Sequence, residues 1–393
     1  MRVLLVDDDA QVLRGVTRIM ECESDGWAIE SALSGIEALQ ILDSGGYNVL
    51  VSDMRMPGMD GAELLQQVQD RHPNVLRVVL SGEASRETVM RVIHPMHQYL
   101  SKPCDPGKLI DVIRKAEIYQ ETIHSTEVLD ALGKANCLPS LSDIVIEIDS
   151  VLESKHCDSE MLGKLVLKDP TLSAKILQLA NSAIFGLKQP VIDIEQAMSV
   201  VGVDMVRAIA MSSSLFKFSG SSVNTLPQQL FKHSIEVAGI CRQLARWERA
   251  DSVTSKTVFS GGLLHDVGKI LLLNAFEEEY TQLMQSASKG AQSLIELETS
   301  KFAATHAGVG AYLLDMWGLP SSLVETVAAH HSPAICARSS LACQIVFGAN
   351  WIASGADEAV LRSCQTENCD DFAAKLKSWN QKCVEERKGD LDE

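Results

Sequence analysis

The chain has 393 residues and carries 35 Lys+Arg against 52 Asp+Glu, a formal net charge of −17. That length predicts two or three domains, and the excess of acid disfavours broad binding to a phosphate backbone, so no nucleic-acid partner is expected. Hydrophobic residues at 46% with charged residues at 22% exclude global disorder. No apolar run approaches the ~18 residues of a membrane span. The first strand-like run, Met1 to Val6, leads straight into Asp7, Asp8 and Asp9, which is too short and too acidic for a signal peptide. Ten cysteines are scattered without a Cys-x-x-Cys pair, which fits a reducing cytoplasm with most of them as small core residues.

Residues 1–116 alternate short apolar runs with amphipathic stretches. Strands are predicted at Val3–Val6, Trp27–Ser31, Val49–Ser52, Arg77–Leu80 and Gln98–Leu100. Helical patterns fall at about 10–24, 35–43, 61–71, 84–94 and 106–116. Five such units predict a doubly wound (βα)5 parallel sheet, with ligands at the carboxyl ends of its strands. Residues 117–127 read as a helix end running into a polar connector. From Val128 onward strand alternation gives way to helical periodicity, so an all-α region is expected to follow the α/β one. Lys168-Asp169-Pro170 marks a helix start, because Pro suits the first turn. Phe218 to Pro227 reads as an internal loop. The tail after Gly355 is charged, with a peripheral helix expected over 370–388. The predicted division is 1–120, a linker at 121–130, a helical domain at 131–355 and a helical tail at 356–393.

The predicted strand ends carry the chemistry. Asp7 and Asp8 follow the first strand, Asp53 the third, Ser81 the fourth and Lys102 the fifth. Carboxylates gathered at one rim repel unless a cation sits among them, and oxygen ligands with open positions suit Mg²⁺. The alternative for Asp8 or Asp9 is a cap on the helix that begins near Ala10. Lys102-Pro103 is a candidate cis bond.

The runs Leu5-Val6-Asp7-Asp8-Asp9, Ser52 to Gly61, Leu80-Ser81-Gly82 and Ser101-Lys102-Pro103 resemble the receiver domain of bacterial response regulators. The resemblance implies Asp53 as phospho-acceptor and Mg²⁺ held by Asp7, Asp8, Asp53 and the Arg55 backbone carbonyl. It also implies Ser81 and Lys102 as contacts of the phosphoryl group and Tyr99 as a switch aromatic. A sensor histidine kinase or phosphotransfer protein is the implied phosphoryl source.

Five of the ten histidines lie between 233 and 331: His233, His265, His306, His330 and His331. His265-Asp266 is expected in a helix with apolar flanks, and Lys269 one turn along the face of His265. A buried imidazole beside a buried carboxylate needs a partner, and a metal is one answer. Leu167 to Leu172, Ala180-Asn181-Ser182-Ala183, Gly262 to Lys269, Thr305 to Gly310 and His330-His331 resemble an HDOD domain, an all-α relative of the HD phosphohydrolases. The resemblance implies a metal shell of His233, His265, Asp266 and a later Asp, with His306, His330 and His331 as further ligands. Zinc, iron or manganese is the implied ion. The position matching the later Asp is Asn350, and Ser332-Pro333-Ala334-Ile335 stands where related phosphodiesterases have Gly-Tyr-Pro. A non-enzymatic output acting on a downstream protein is therefore expected, with a metal-dependent phosphohydrolase of a nucleotide second messenger as the alternative. Homodimerisation is a family-level expectation.

Overall fold

The computed structural model describes residues 1–23, 26–82, 91–92, 95–123, 125–134, 147–148, 151, 159–182, 185, 187, 189–202, 206, 209, 226–290, 292–357, 359 and 369–392. The helix expected over 84–94 lies mostly outside them, as does most of the loop expected over Phe218 to Pro227.

The first domain is a five-stranded parallel sheet in the order β2-β1-β3-β4-β5. Its strands are β1 (Arg2–Val6), β2 (Ala28–Ala32), β3 (Val49–Asp53), β4 (Leu76–Ser81) and β5 (Gln98–Ser101). The central strands β3 and β4 are buried along their whole length, in keeping with their Val- and Leu-rich sequences. Helices α1 (Ala10–Glu23), α2 (Gly35–Asp43), α3 (Gly61–Arg71) and α4 (Pro106–Thr122) flank the sheet. Asp9 caps α1 through Oδ1, which accepts the Gln11 N–H at 2.7 Å. α4 outruns the predicted 116, and α5 (Thr126–Lys134) follows almost at once, so the connector is mainly helical.

The rest is helical: α6 (Ser159–Val166), α7 (Pro170–Asn181), α8 (Ile194–Val201), α9 (Leu226–Trp247), α10 (Ser252–Leu264), α11 (Val267–Ala275), α12 (Glu277–Ser288), α13 (Leu294–Phe302), α14 (His306–Met316), α15 (Ser321–Ala329), α16 (Pro333–Cys336), α17 (Leu341–Ala353) and α18 (Cys369–Asp392). Asp169 caps α7, its Oδ1 accepting from the Thr171 and Leu172 N–H groups, with Pro170 in the first turn. Asn181 ties the end of α7 to the following chain, donating to Val191 O at 2.7 Å and accepting from Val191 N at 2.8 Å.

Three expectations need correction. Pro227 lies in the first turn of α9, not in a loop, because its missing N–H costs nothing there. The tail helix is not peripheral: Leu376 and Trp379 are 0% and 1% exposed, and Trp379 packs on Gly348 of α17. Cys369 is disulfide-bonded rather than a free thiol. Among the described residues no helix is long and apolar enough to cross a membrane.

The two domains meet along one edge of the sheet. Arg77 of β4 is fully buried, and its guanidinium donates to Pro95 O, Val75 O and, at 2.7 Å, Gly133 O of α5. Gln178 of α7 donates to His97 O at 3.1 Å. Lys115 of α4 pairs with Asp315 of α14.

Candidate functional sites

At the carboxyl edge of the sheet, Lys102 follows β5 and its ammonium sits between two acids. Nζ donates to Asp7 Oδ2 at 2.6 Å and also to Asp53 Oδ1. Asp53 Oδ2 accepts the Arg55 N–H at 2.7 Å, and Asp7 Oδ1 accepts the Asp9 N–H at 2.9 Å. Asp7 and Asp53 are buried, at 5% and 8% exposure, while Asp8 stands exposed at the rim. The Lys102 ammonium neutralises part of this charge, each Asp7 and Asp53 oxygen already accepts one hydrogen bond, and their remaining lone pairs with the Asp8 carboxylate are the groups that could hold Mg²⁺. Lys102 stays protonated: burial opposes its charge, but hydrogen bonds to Asp53 and Asp7 raise its pKa. The Lys102-Pro103 bond is cis. Ser81 and Tyr99 are buried one strand apart and share a hydrogen bond, so the aromatic ring is already turned inward.

The helical half brings together His233, His265, Asp266, His306, His330, His331 and Asn350, residues from α9, α14, α17 and the turns after α10 and α15. His265 and Asp266 are not inside one helix. His265 ends α10, and Asp266, at φ −98° and ψ 12°, opens α11. That junction turns the carboxylate inward. Gly268 makes the next step, since a Cβ there would lie 2.0 Å from His306 O. The first turn of α11 thereby rests on the first turn of α14, and Asp266 reaches His306. Lys269 serves Asp266 rather than His265, with Nζ 2.8 Å from Oδ2.

Hydrogen bonds on the outer ring nitrogens fix which way three of these rings present their lone pairs. His265 Nδ1 lies 2.7 Å from Gly262 O, and His330 Nδ1 lies 2.6 Å from Val327 O. His306 Nδ1 lies 2.8 Å from both oxygens of Glu298. Carbonyl oxygens only accept, and so does Glu298 in its ionised form, so each Nδ1 then carries the proton and each Nε2 turns a lone pair inward. Asp266 Oδ1 is buried without a hydrogen-bond partner and faces the Nε2 atoms of His306 and His330, both at 3.5 Å. Lone pairs aimed at one another in a dry site call for a cation.

Burial holds the His265 imidazole down at about 4 and keeps His306 well below the usual range. These rings are therefore neutral bases near neutral pH. Burial opposes ionisation of Asp266, yet its carboxyl lies well below the usual range, with the Lys269 ammonium 2.8 Å from Oδ2. Asn350 Oδ1 lies 3.0 Å from His233 Nε2.

Glu298 escaped the sequence reading. It is fully buried, bonded to the Tyr280 hydroxyl and to the His306 N–H as well as its ring, and burial raises its carboxyl to about 7. A signal was present: Leu294, Glu298 and Phe302 recur every four residues, so the glutamate sits in the apolar stripe of α13.

Residues 3–114 match the family model of the response regulator receiver domain, and residues 138–333 match that of the HDOD domain. An uncharacterized protein of Treponema pallidum is 25% identical over 259 residues, 66% of this chain and 48% of that protein. The DNA-binding transcriptional regulator NtrC of Escherichia coli is 29% identical over 151 residues, 33% of this chain and 32% of that protein. The chain thus spans about half or less of these curated relatives. The crystal structure of the MmoQ response regulator from Methylococcus capsulatus is 25% identical, with a TM-score of 0.48 over 60% of this chain and 97% of that one.

Proposed function

We propose that this chain, which belongs to the response regulators that join a receiver domain to an HDOD output, accepts a phosphoryl group on Asp53 and converts it into a change in what its helical half binds. The observation that carries this reading is the Lys102 ammonium shared by Asp7 and Asp53 at the strand ends. In the reaction one Asp53 carboxylate oxygen bonds to phosphorus while the bond from phosphorus to the donor's leaving group breaks. Lys102 stabilises the added negative charge, and the Ser81 hydroxyl lies one strand away as a further donor. Asp7, Asp8, Asp53 and the Arg55 carbonyl are the groups that would hold Mg²⁺, which supplies charge neutralisation during transfer.

A sensor histidine kinase or a phosphotransfer protein supplies the phosphoryl group in this reading, and the protein works in the cytoplasm. The output is non-enzymatic and engages a downstream protein, with a homodimer as the assembled form. The division into a receiver at 1–120, a linker at 121–130, an HDOD domain at 131–355 and a tail at 356–393 belongs to the same proposal. Asn350 supports the non-enzymatic output, because a neutral amide replaces a charged ligand.

A second reading is favoured by the orphaned Asp266 Oδ1: a metal-dependent phosphohydrolase acting on a nucleotide second messenger. His233, His265, Asp266, His306, His330, His331 and Asn350 are the set from which zinc, iron or manganese would be held, and under this second reading the ion would acidify a bound water.

Incubation with a small-molecule phosphoryl donor and Mg²⁺ tests the first reading. Intact mass should rise by one phosphoryl group, and Asp53→Asn should block it; equal labelling of both proteins overturns the assignment. A cyclic-dinucleotide hydrolysis screen with added metals decides between the outputs. Turnover abolished by His265→Ala would replace the binding output with the enzyme.

A further inference from the structure

We infer that the histidine cluster holds a single metal ion, in the subsite of Asp266, His306, His330 and His331, and that the neighbouring subsite of His233, His265 and Asp266 is disabled. The inference rests on the metal reading above and decides which atoms carry it. Within each of the two groups the candidate ligand atoms lie within 4.8 Å of one another, and Asp266 belongs to both.

The first group has the spacing of a coordination shell. His306 Nε2 lies 3.3 Å from His330 Nε2 and 2.9 Å from His331 Nε2, and Asp266 Oδ1 lies 3.5 Å from the Nε2 atoms of His306 and His330. Ligands 2.0–2.1 Å from a tetrahedral ion stand about 3.3–3.4 Å apart. Two of the three rings have their Nδ1 protons tied off on Glu298 and Val327 O. The third, His331, points its Nε2 at the lone pair of His306, so one shared proton is all that an entering ion must displace. Asp266 Oδ1 contributes an oxygen that nothing else uses. Three imidazoles and one carboxylate suit a borderline ion such as Zn²⁺. Glu298 sits behind His306 as the positioning carboxylate that fixes its tautomer and raises its basicity.

The second group has lost its donors. Asn350 occupies His233 Nε2 at 3.0 Å. Whichever way the amide is turned, that nitrogen is engaged by a neutral group, as donor to the amide oxygen or as acceptor from the amide N–H. Asp266 Oδ2 already accepts from Lys269 Nζ at 2.8 Å, which places a fixed positive charge beside any second cation. His265 Nε2 is left as one free donor, too few for a site. Four protein ligands also close a tetrahedral ion to water, which agrees with an output that binds rather than hydrolyses.

The test is metal stoichiometry of the full chain after chelator stripping, reloading with Zn²⁺ and desalting, with each variant checked for an unchanged circular dichroism spectrum. The unaltered protein should retain one equivalent. His306→Ala and His331→Gln should each lose it or bind at least 100-fold more weakly, and Glu298→Gln, which keeps an acceptor for His306, should weaken binding about 10-fold. His233→Ala should still retain one equivalent, and Asn350→Asp should gain toward two. Two equivalents in the unaltered chain, or loss of metal in His233→Ala with retention in His331→Gln, overturns the subsite assignment while leaving a metal centre in place. No retained metal in the unaltered chain overturns the metal reading itself.

Discussion

Lys115 and Asp315 join the receiver to the histidine cluster through one helix. The Lys115 ammonium, on α4, lies 2.5 Å from Asp315 Oδ1, near the carboxyl end of α14, and the first residue of that helix is His306. Gln98 of β5 adds a longer bond to the Asp315 carbonyl, and its neighbour in the strand is Tyr99. Eleven residues of helix rise about 16 Å. A movement of β5 or α4 at one end of α14 thus bears on the cluster at the other.

Lys115→Ala should loosen this coupling. Lys115 is 42% exposed and Asp315 7%, so solvent screening limits the direct stability loss to about 1 kcal/mol. The sharper readout is amide hydrogen exchange. Loading Asp53 with a phosphoryl mimic should change protection across 306–316 in the parent, and the change should shrink in Lys115→Ala. Identical responses in the two proteins would remove α14 from the signalling route.

Gly133→Ala should destabilise the docking of α5 on the receiver. In an exposed helix this change stabilises by about 1 kcal/mol through propensity. Here the added Cβ would lie 1.7 Å from Pro73 O, so the helix must back away and pull Gly133 O from the Arg77 guanidinium. The expected sign is therefore reversed, with a loss of about 1–3 kcal/mol. A raised melting temperature would show that α5 does not rest on the 73–77 segment in solution.

The interface should also weaken in mild acid. His97 Nδ1 accepts the Arg77 N–H at 2.9 Å, which leaves the one ring proton on Nε2, 3.2 Å from the Arg77 guanidinium. A second proton would find no acceptor. Burial, then the charges of Arg77 and Lys175, hold the ring's pKa well below 6.5. Because the unfolded ring takes its proton first as pH falls, this contribution is fully present above about pH 6.5 and declines below it. Thermal unfolding followed from pH 7.5 to 5.5 should show that loss, and His97→Gln should flatten it. Parallel curves for parent and variant would count against His97 as the source.

The receiver was legible because each of its signals is local. Val49–Val51 and Val78–Leu80 are buried, so they read as continuous apolar runs, and each strand delivers its polar residue at or just beyond its carboxyl end. The five strands lie where expected to within one residue at each end, and α4 runs six residues longer. The helical site was legible as a set of residue types but not as an arrangement. The break between α10 and α11 at His265-Asp266 has no Pro or Gly of its own to announce it; it depends on Gly268 meeting α14, a contact 38 residues away in sequence. Arg77 read as an ordinary strand residue, because nothing local shows that its guanidinium ends on Gly133. Trp379 sat in a charged tail whose composition hid a buried face.

That tail yields the last prediction. Trp379 is 1% exposed and lies so close to α17 that a Cβ at Gly348 would meet its ring at 2.8 Å, while its Nε1 donates to Glu248 of the adjoining turn at 2.9 Å. Asn350, two residues beyond Gly348 on the same helix, makes the contact to His233. Trp379→Ala empties the space behind α17, and a large buried aromatic removed this way costs about 3–5 kcal/mol. Trp379→Phe keeps most of the apolar area and loses the N–H, so it should cost about 1–2 kcal/mol, since Lys375 at 3.1 Å still pairs with Glu248. The helical domain's unfolding transition should fall in that order, with Trp379→Ala well below Trp379→Phe. The His233 imidazole resonances should shift in Trp379→Ala as α17 settles into the vacated space. If both variants unfold like the parent, α18 is not part of the domain's core, and the tail can be removed without disturbing Asn350.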